Sequence, residues 1–209
     1  MEKVVIIING NGGVGKDTLC DFAGKRYRVT NISAITPIKE IAERYGWHGE
    51  KDAKSRKFLA DLKKTFVEYN DLPYEYLKRE YEKFLHDNSE ILFVHIREGK
   101  EIEKFRQYVT IPCVTLLIKR ECVLQSWGNS SDDNVEDYDY DYTYHNDKTL
   151  RQAPNDFGKL VDNILRDVLK KRSKNNYEIS NYLFPQNRLA STISNWNIQN
   201  KNLVEAGHE

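Results

Sequence analysis

The feature that most constrains this chain is a glycine-rich loop that directly follows a run of branched apolar residues. Residues 4–8 read VVIII, and NGNGGVGKDT follows them. A continuous β-branched run predicts a central strand of a parallel sheet, buried on both faces. Gly10, Gly15 and Lys16 fit the pattern G-x-x-x-x-G-K, and a helical pattern comes next, so strand, loop and helix occur in the order this motif requires.

The residue types of this loop predict that it binds the phosphates of a nucleotide. Glycines let backbone N–H groups point at phosphate oxygens, the lysine reaches the β and γ phosphates, and the positive end of the next helix faces the same anion. The residues assigned to the phosphate cradle are Asn11, Gly12, Gly13, Val14, Gly15, Lys16, Asp17 and Thr18.

Position 17 departs from the usual motif, because an aspartate stands where Ser or Thr normally follows the lysine. Thr18 is therefore predicted to supply the hydroxyl on the Mg²⁺ side, directly or through water. Asp17 is predicted to contact the metal's water shell or to fix Lys16. The alternative is a carboxylate that only complements the helix dipole.

Strand and helix patterns alternate along most of the chain and predict an α/β fold. Strands are predicted at 4–8, 28–32, 90–98, 113–120 and 140–147, and helices at 16–25, 35–45, 51–70, 73–86, 99–108 and from a cap at Asn155 or Asp156. This alternation is typical of a three-layer fold with a mainly parallel sheet flanked by helices. Ligands bind at the carboxyl ends of such strands, so the loop and the ends of FVHIRE and LLIKR are expected to converge on one cleft. In the long helix over 51–70, Phe58, Leu59, Leu62 and Phe66 are predicted to share one face.

Composition limits the classes of partner. Lys plus Arg and Asp plus Glu both number 32, and this balance gives no general argument for nucleic-acid or membrane binding. No apolar run approaches the ~20 residues that span a bilayer. The three cysteines, Cys20, Cys113 and Cys122, are widely spaced and predict reduced thiols in a cytoplasmic protein. We expect small-molecule partners, no nucleic-acid polymer and no membrane, with a homodimer left open.

Four stretches together resemble a known family. GKDT replaces the GKGT of adenylate-kinase-like enzymes, and it is similar to phage-type deoxynucleoside monophosphate kinases and to animal-type phosphomevalonate kinases. GWHGEKDAKSRKFLADL over 46–62 resembles the acceptor-side segment of the phage-type family. VHIREGKEIEKF over 94–105 and YTYHNDKTLRQ over 142–152 resemble its third-strand and last-strand regions. The resemblance extends over roughly residues 3–170 in the same order and leaves the tail uncovered.

The resemblance implies a domain layout and further site residues. It implies a P-loop kinase domain over 1–173, with an acceptor-side helical segment at about 35–88 and a lid at about 121–137. The Asn-rich residues 174–209 are then an appendage, loosely ordered or packed on the core. Arg97 would bind the acceptor phosphate, with Arg56 or Lys57 beside it and Trp47 stacked on the acceptor base. Arg120 would contact ATP phosphates, and Asn146 would lie near the adenine or ribose.

Each of these residues also has a plainer interpretation. Arg97 could form an ion pair with Glu98, and Arg56 and Lys57 could lie on a solvated face of a helix that also carries Lys51, Lys54, Lys63 and Lys64. Arg120 could be an ordinary charge at a strand end, Trp47 could be half-buried packing, and Asn146 with Asp147 could form a turn and helix cap. His95 stands where the family often has an acid, and it is either a hydrogen-bonded core residue or a neighbour of the metal's water shell.

The predicted function is phosphoryl transfer from Mg·ATP to a nucleoside monophosphate, with a deoxynucleotide favoured by the resemblance. An acceptor phosphate oxygen is already ionised at neutral pH, so positioning and charge neutralisation are sufficient for catalysis. One alternative is a kinase for another small phosphorylated metabolite or an alcohol, with Asp17 or His95 as the base. The other alternative is a nucleotide-binding regulatory protein that no longer transfers phosphate.

Overall fold

The computed structural model describes residues 3–50, 52–121 and 135–183, and it describes side chains up to residue 173 except that of residue 172. Within these ranges the strands are β1 (Val4–Asn9), β2 (Val29–Ser33), β3 (Ile91–His95), β4 (Cys113–Lys119) and β5 (Tyr142–His145). The helices are α1 (Lys16–Gly24), α2 (Thr36–Arg44), α3 (Ala53–Asn70), α4 (Leu72–His86), α5 (Gly99–Tyr108) and α6 (Ala153–Leu183), with a 3-10 turn at Val135–Asp137.

The five strands form one parallel sheet in the order β2-β3-β1-β4-β5. β1 is the central strand, and Ile6 lies opposite Phe93 of β3 and Val114 of β4. All six residues of β1 are buried, as the unbroken apolar run predicts. The predicted parallel sheet flanked by helices is confirmed.

The connections of the sheet place helices on both of its faces. From β1 the chain crosses toward β2 at one edge, and from β3 it crosses toward β4 on the other side of β1. Because such crossovers are right-handed, α1 and α5 lie on opposite faces, which gives three layers. Where neighbouring strands send their connections to opposite faces, a crevice opens at their carboxyl ends.

A single buried cluster fixes α4 and α5 against one face of the sheet. Val5 and Ile7 of β1 point to this face of the sheet, and so do Leu92 and Val94 of β3. The residues between them in each strand point to the other face. The cluster joins these four side chains to Leu77, Tyr81 and Phe84 of α4 and to Ile102 and Phe105 of α5. The core therefore holds β1 and β3, whose carboxyl ends carry the glycine loop and Arg97.

The long helix α3 forms where the sequence predicts it and lies at the surface. Its bounds agree with the predicted helix, and the Asp52 side chain caps it by accepting a hydrogen bond from the Ser55 N–H at 2.7 Å. None of its residues is buried, however, and Phe58 is 45% exposed. The predicted shared apolar face is thus a half-exposed surface and not part of the core.

The last helix differs from its prediction. Two compact units divide the chain, one up to Asp162 and one from Asn163 onward, and α6 belongs to both. α6 begins at Ala153, ahead of the predicted cap at Asn155 or Asp156, because a turn at Thr149 starts it: the Ala153 N–H donates to the Thr149 carbonyl at 2.9 Å. α6 then continues to Leu183, past the predicted boundary at 173, and the division at 173 stays a prediction.

Several predictions concern residues beyond the described ranges. The predicted lid at 121–137 falls mostly outside them, as do Cys122 and the tail from residue 184. Among the described helices, none combines the length and the apolar composition that crossing a lipid bilayer requires.

Candidate phosphate-binding site

The glycine loop between β1 and α1 has a backbone that only glycine adopts readily. Gly10, Gly13 and Gly15 have φ values of 144°, 86° and 91°. A Cβ on Gly10 would lie 2.4 Å from the carbonyl oxygen of Ile118 in β4, and a Cβ on Gly15 would lie 2.7 Å from Asn146 Nδ2. The loop is therefore packed tightly against the end of β4 and the residue that follows β5.

Lys16 is the first residue of α1 and folds back over this loop. Its ammonium donates to the carbonyl oxygens of Gly10 and, at 3.0 Å, Asn11. Gly15 precedes the helix in a left-handed conformation and gives no side-chain cap, so the first-turn N–H groups have no side-chain acceptor there. Positive charge and helix N–H groups thus come together at one concave loop, as the motif predicts.

Two observations test whether the loop fits a triphosphate. The side-chain positions at Gly10 and Gly15 are filled by neighbouring atoms, so the loop presents its backbone as a cradle. The Oδ1 atom of Asn11 is buried and accepts no hydrogen bond within the described part of the chain. Both features fit a loop whose polar atoms are arranged around an anion, and Thr18, exposed on the first turn of α1, fits a hydroxyl ligand for Mg²⁺.

Asn146 supports the loop from behind. It is buried, its Nδ2 donates to the Val14 carbonyl at 2.7 Å, and its backbone N–H donates to the Lys119 carbonyl at 2.8 Å. Asp147 beside it accepts a hydrogen bond from the Glu121 N–H at 3.2 Å. Asn146 therefore ties the end of β5 to the loop and to β4, and its predicted contact with the adenine or ribose stays a prediction.

Asn9 is the residue of the site that the sequence analysis missed. This last residue of β1 is 1% exposed. Its Oδ1 accepts from the Gly10 N–H at 2.8 Å, and its Nδ2 donates to the Arg97 carbonyl at 2.8 Å and to the Tyr140 hydroxyl at 2.7 Å. Tyr140 in turn donates to the Val135 carbonyl at 2.8 Å. A polar residue closing an otherwise apolar strand was the available signal.

His95 ends β3 beside the first turn of α1. Its Nε2 lies 2.8 Å from Asn31 Oδ1, 3.8 Å from Cys20 Sγ and 3.8 Å from Asp17 Oδ1. Burial lowers the pKa of His95 to about 4, so its ring is neutral at pH 7. Because an amide oxygen can only accept, the hydrogen-bond network assigns the ring proton to Nε2. His95 is thus a hydrogen-bonded, partly buried residue at the end of β3, near the carboxylate of Asp17, which is 91% exposed.

The predicted acceptor residues take different positions. Arg97 is exposed and directly follows Ile96 at the end of β3, with its carbonyl held by Asn9. Arg56 is half-buried on α3. The Lys57 ammonium lies 2.7 Å from Asp61 Oδ2, in an exposed pair one helical turn apart. The structure therefore brings Arg97 to the loop through its backbone, whereas Lys57 forms the surface pair expected of a solvated helix face.

Trp47 and Arg120 each follow the end of an element, α2 for Trp47 and β4 for Arg120. Trp47 follows α2 after Gly46 and is half-buried. Its indole Nε1 is buried and has no hydrogen-bond partner within the described residues. Arg120 follows β4 and is exposed. Their predicted contacts with the acceptor base and with ATP stay predictions.

Comparisons with known proteins show a likeness in fold only. No protein-family model and no curated protein matches this sequence. Among solved structures, the shikimate kinase of Aquifex aeolicus is 13% identical, with 78% of this chain and 96% of that chain covered and a TM-score of 0.49. The protein TT1252 of Thermus thermophilus is 12% identical, with 80% and 98% covered and a TM-score of 0.47. At these identities and TM-scores, the comparisons identify no acceptor for this chain.

The fold and the loop together define the class of this protein. A parallel sheet carries a glycine loop after its central strand, and the lysine of that loop opens the next helix. This arrangement is the three-layer α/β P-loop fold.

Proposed function

We propose that this chain transfers the γ-phosphoryl group of Mg·ATP to the phosphate of a nucleoside monophosphate, with deoxynucleotides as the preferred acceptors. The observation that carries the proposal is the side chain of Asn9, which holds the Gly10 N–H and the Arg97 carbonyl at 2.8 Å each. One buried amide thereby joins the Arg97 backbone to the first glycine of the loop, which supports a role for Arg97 next to the proposed phosphate site. The deoxynucleotide preference comes from the resemblance to phage-type kinases.

The donor side follows from the loop. When bound, Mg·ATP supplies the phosphoryl group, and Thr18 would hold the metal, with Asp17 next to its water shell. Lys16 and the loop N–H groups neutralise and orient the phosphate oxygens as charge moves toward the leaving ADP. Lys16 lies over the loop already, since it donates to the Gly10 and Asn11 carbonyls.

The acceptor side favours a phosphate over an alcohol. An alcohol needs a positioned base, and His95 is poorly suited because its Nε2 proton is directed at Asn31 Oδ1, 2.8 Å away. A phosphate oxygen needs only cationic ligands, which Arg97 supplies with a planar fork that suits phosphate. Arg56 on α3 is the second cationic residue proposed to bind the acceptor. The partners proposed are small nucleotides and not nucleic-acid polymers.

One observation favours a second candidate function. The Asp17 carboxylate is 91% exposed on the first turn of the helix that follows the phosphate cradle. A carboxylate there could accept a proton from a hydroxyl group. This favours, as the alternative, a kinase for another small phosphorylated metabolite or an alcohol.

A panel of acceptors tests the proposal. The full-length protein is incubated with Mg·ATP and each common NMP or dNMP, and in parallel with small phosphorylated metabolites and polyols, while ADP release is followed. We expect ADP formation that depends on a nucleoside monophosphate and is fastest with a dNMP. ADP formation only with a non-nucleotide acceptor would establish the alternative. ATP binding without ADP from any acceptor would support a regulatory protein instead, and Lys16→Ala serves as the control for contaminating kinases.

A further inference from the structure

We propose that Lys63 is a positioning residue for the acceptor phosphate, because it pairs with the carboxylates of Glu98 and Glu101 and links α3 to the turn that carries Arg97. The inference rests on the proposed function, since it assigns Arg97 to the acceptor. From the sequence, Lys63 was expected only to be another lysine on a solvated helix face.

The geometry around Lys63 is unlike that of its neighbours on α3. The Lys63 ammonium lies 3.2 Å from Glu98 Oε1 and 2.7 Å from Glu101 Oε1. Its side chain is 17% exposed, whereas that of Lys64 is 76% exposed and pairs with Glu68 only at 4.0 Å along the same helix. Lys63 thus joins two elements that are distant in sequence, and Lys64 does not.

The two carboxylates have a defined place beside the proposed acceptor site. Glu98 directly follows Arg97 and precedes α5, and Glu101 lies in the first turn of α5. Burial raises the pKa of Glu101, and the Lys63 charge opposes that rise. Without the ammonium, negative charge would be left beside the arginine that is to bind a dianionic phosphate. Lys63 therefore favours acceptor binding through charge.

The same contact also holds α3 in place. α3 contributes no buried residue, although it packs beside α2 and α4. Its polar links to α5 include the Lys63 contacts and, at its far end, the ion pair between Asp71 and Lys104. Since α3 carries Arg56, the Lys63 link sets where Arg56 lies relative to Arg97.

The test compares Lys63→Ala with Lys64→Ala in the full-length protein, with the nucleotide acceptor that the panel identifies. For Lys63→Ala we expect the acceptor KM to rise about tenfold while the ATP KM stays within about twofold, because a partly buried charge pair loses one partner. Lys64→Ala should match the wild type. Adding Glu98→Gln and Glu101→Gln to Lys63→Ala should restore the part of the acceptor affinity that the unpaired charges cost, although the link to α3 stays broken.

A merely structural role gives different results. Equal rises in both KM values, or no rescue by the two glutamines, would overturn the proposal. Should Lys63→Ala fail to fold, Lys63→Gln keeps most of the side-chain volume, and the same acceptor-selective rise is expected there. If the wild type turns over and the acceptor KM is unchanged in both Lys63 variants, the role of Lys63 is refuted but the proposed function is not. Absence of turnover by the wild type with every nucleotide would remove the proposed function and this inference together.

Discussion

The most informative single substitution is Asn9→Ala, because one buried side chain joins three parts of the site. Asn9 is 1% exposed and makes three hydrogen bonds, with the Gly10 N–H, the Arg97 carbonyl and the Tyr140 hydroxyl. Each such bond contributes roughly 1 kcal/mol, and an orphaned buried partner costs about 1–3 kcal/mol. Since three such bonds are lost, we expect the free energy of unfolding to fall by about 3 kcal/mol.

Function should respond as well as stability. Loss of the Asn9 amide releases the first glycine of the cradle and the turn that carries Arg97, so both ATP and acceptor KM values should rise. Urea unfolding followed by circular dichroism measures the stability, and steady-state kinetics measures the KM values. Tyr140→Phe removes one of the three partners of Asn9 together with the Val135 hydrogen bond, and it should cost about 2 kcal/mol. A loss below about 1 kcal/mol in Asn9→Ala, with unchanged KM values, would refute the reasoning.

Three further predictions follow from the same contacts. Lys16→Ala should abolish transfer while changing the free energy of unfolding by no more than about 1 kcal/mol, because the loop is built from backbone; wild-type turnover would remove Lys16 from the mechanism. Arg97→Ala should raise the acceptor KM more than the ATP KM, and equal rises would contradict its assignment. Burial raises the pKa of Tyr140 to about 12, above its usual value near 10. The unfolded chain therefore loses this proton first, and stability should fall as pH rises from about 10 to 12. Urea titrations across that range should show a shallower fall in Tyr140→Phe, and identical slopes would contradict the assignment.

The sequence predicted the features that local pattern determines. The apolar run of β1 and the spacing of Gly10, Gly15 and Lys16 identify a buried strand and a phosphate loop without any tertiary information. The chain order of strands and helices then predicts a parallel sheet, and the carboxyl-edge rule brings Arg97 to the loop. These features were accessible because each depends on residues close together in the chain.

The missed features depend on contacts between distant residues. Asn9 meets Tyr140, Asn146 meets Val14, and Lys63 meets Glu101, and no local period indicates any of these pairs. Periodicity predicts the bounds of α3, whereas its burial depends on which elements cover the helix.

The central claim is that phosphate passes from ATP to the phosphate of a nucleotide. The direct test uses ATP labelled in its γ-phosphate and the preferred dNMP of the acceptor panel, with the products separated and identified by phosphorus NMR. We predict that the label appears in the β-phosphate of a deoxynucleoside diphosphate and that Lys16→Ala gives none. Label found only in inorganic phosphate, or only in unreacted ATP, would contradict the claim.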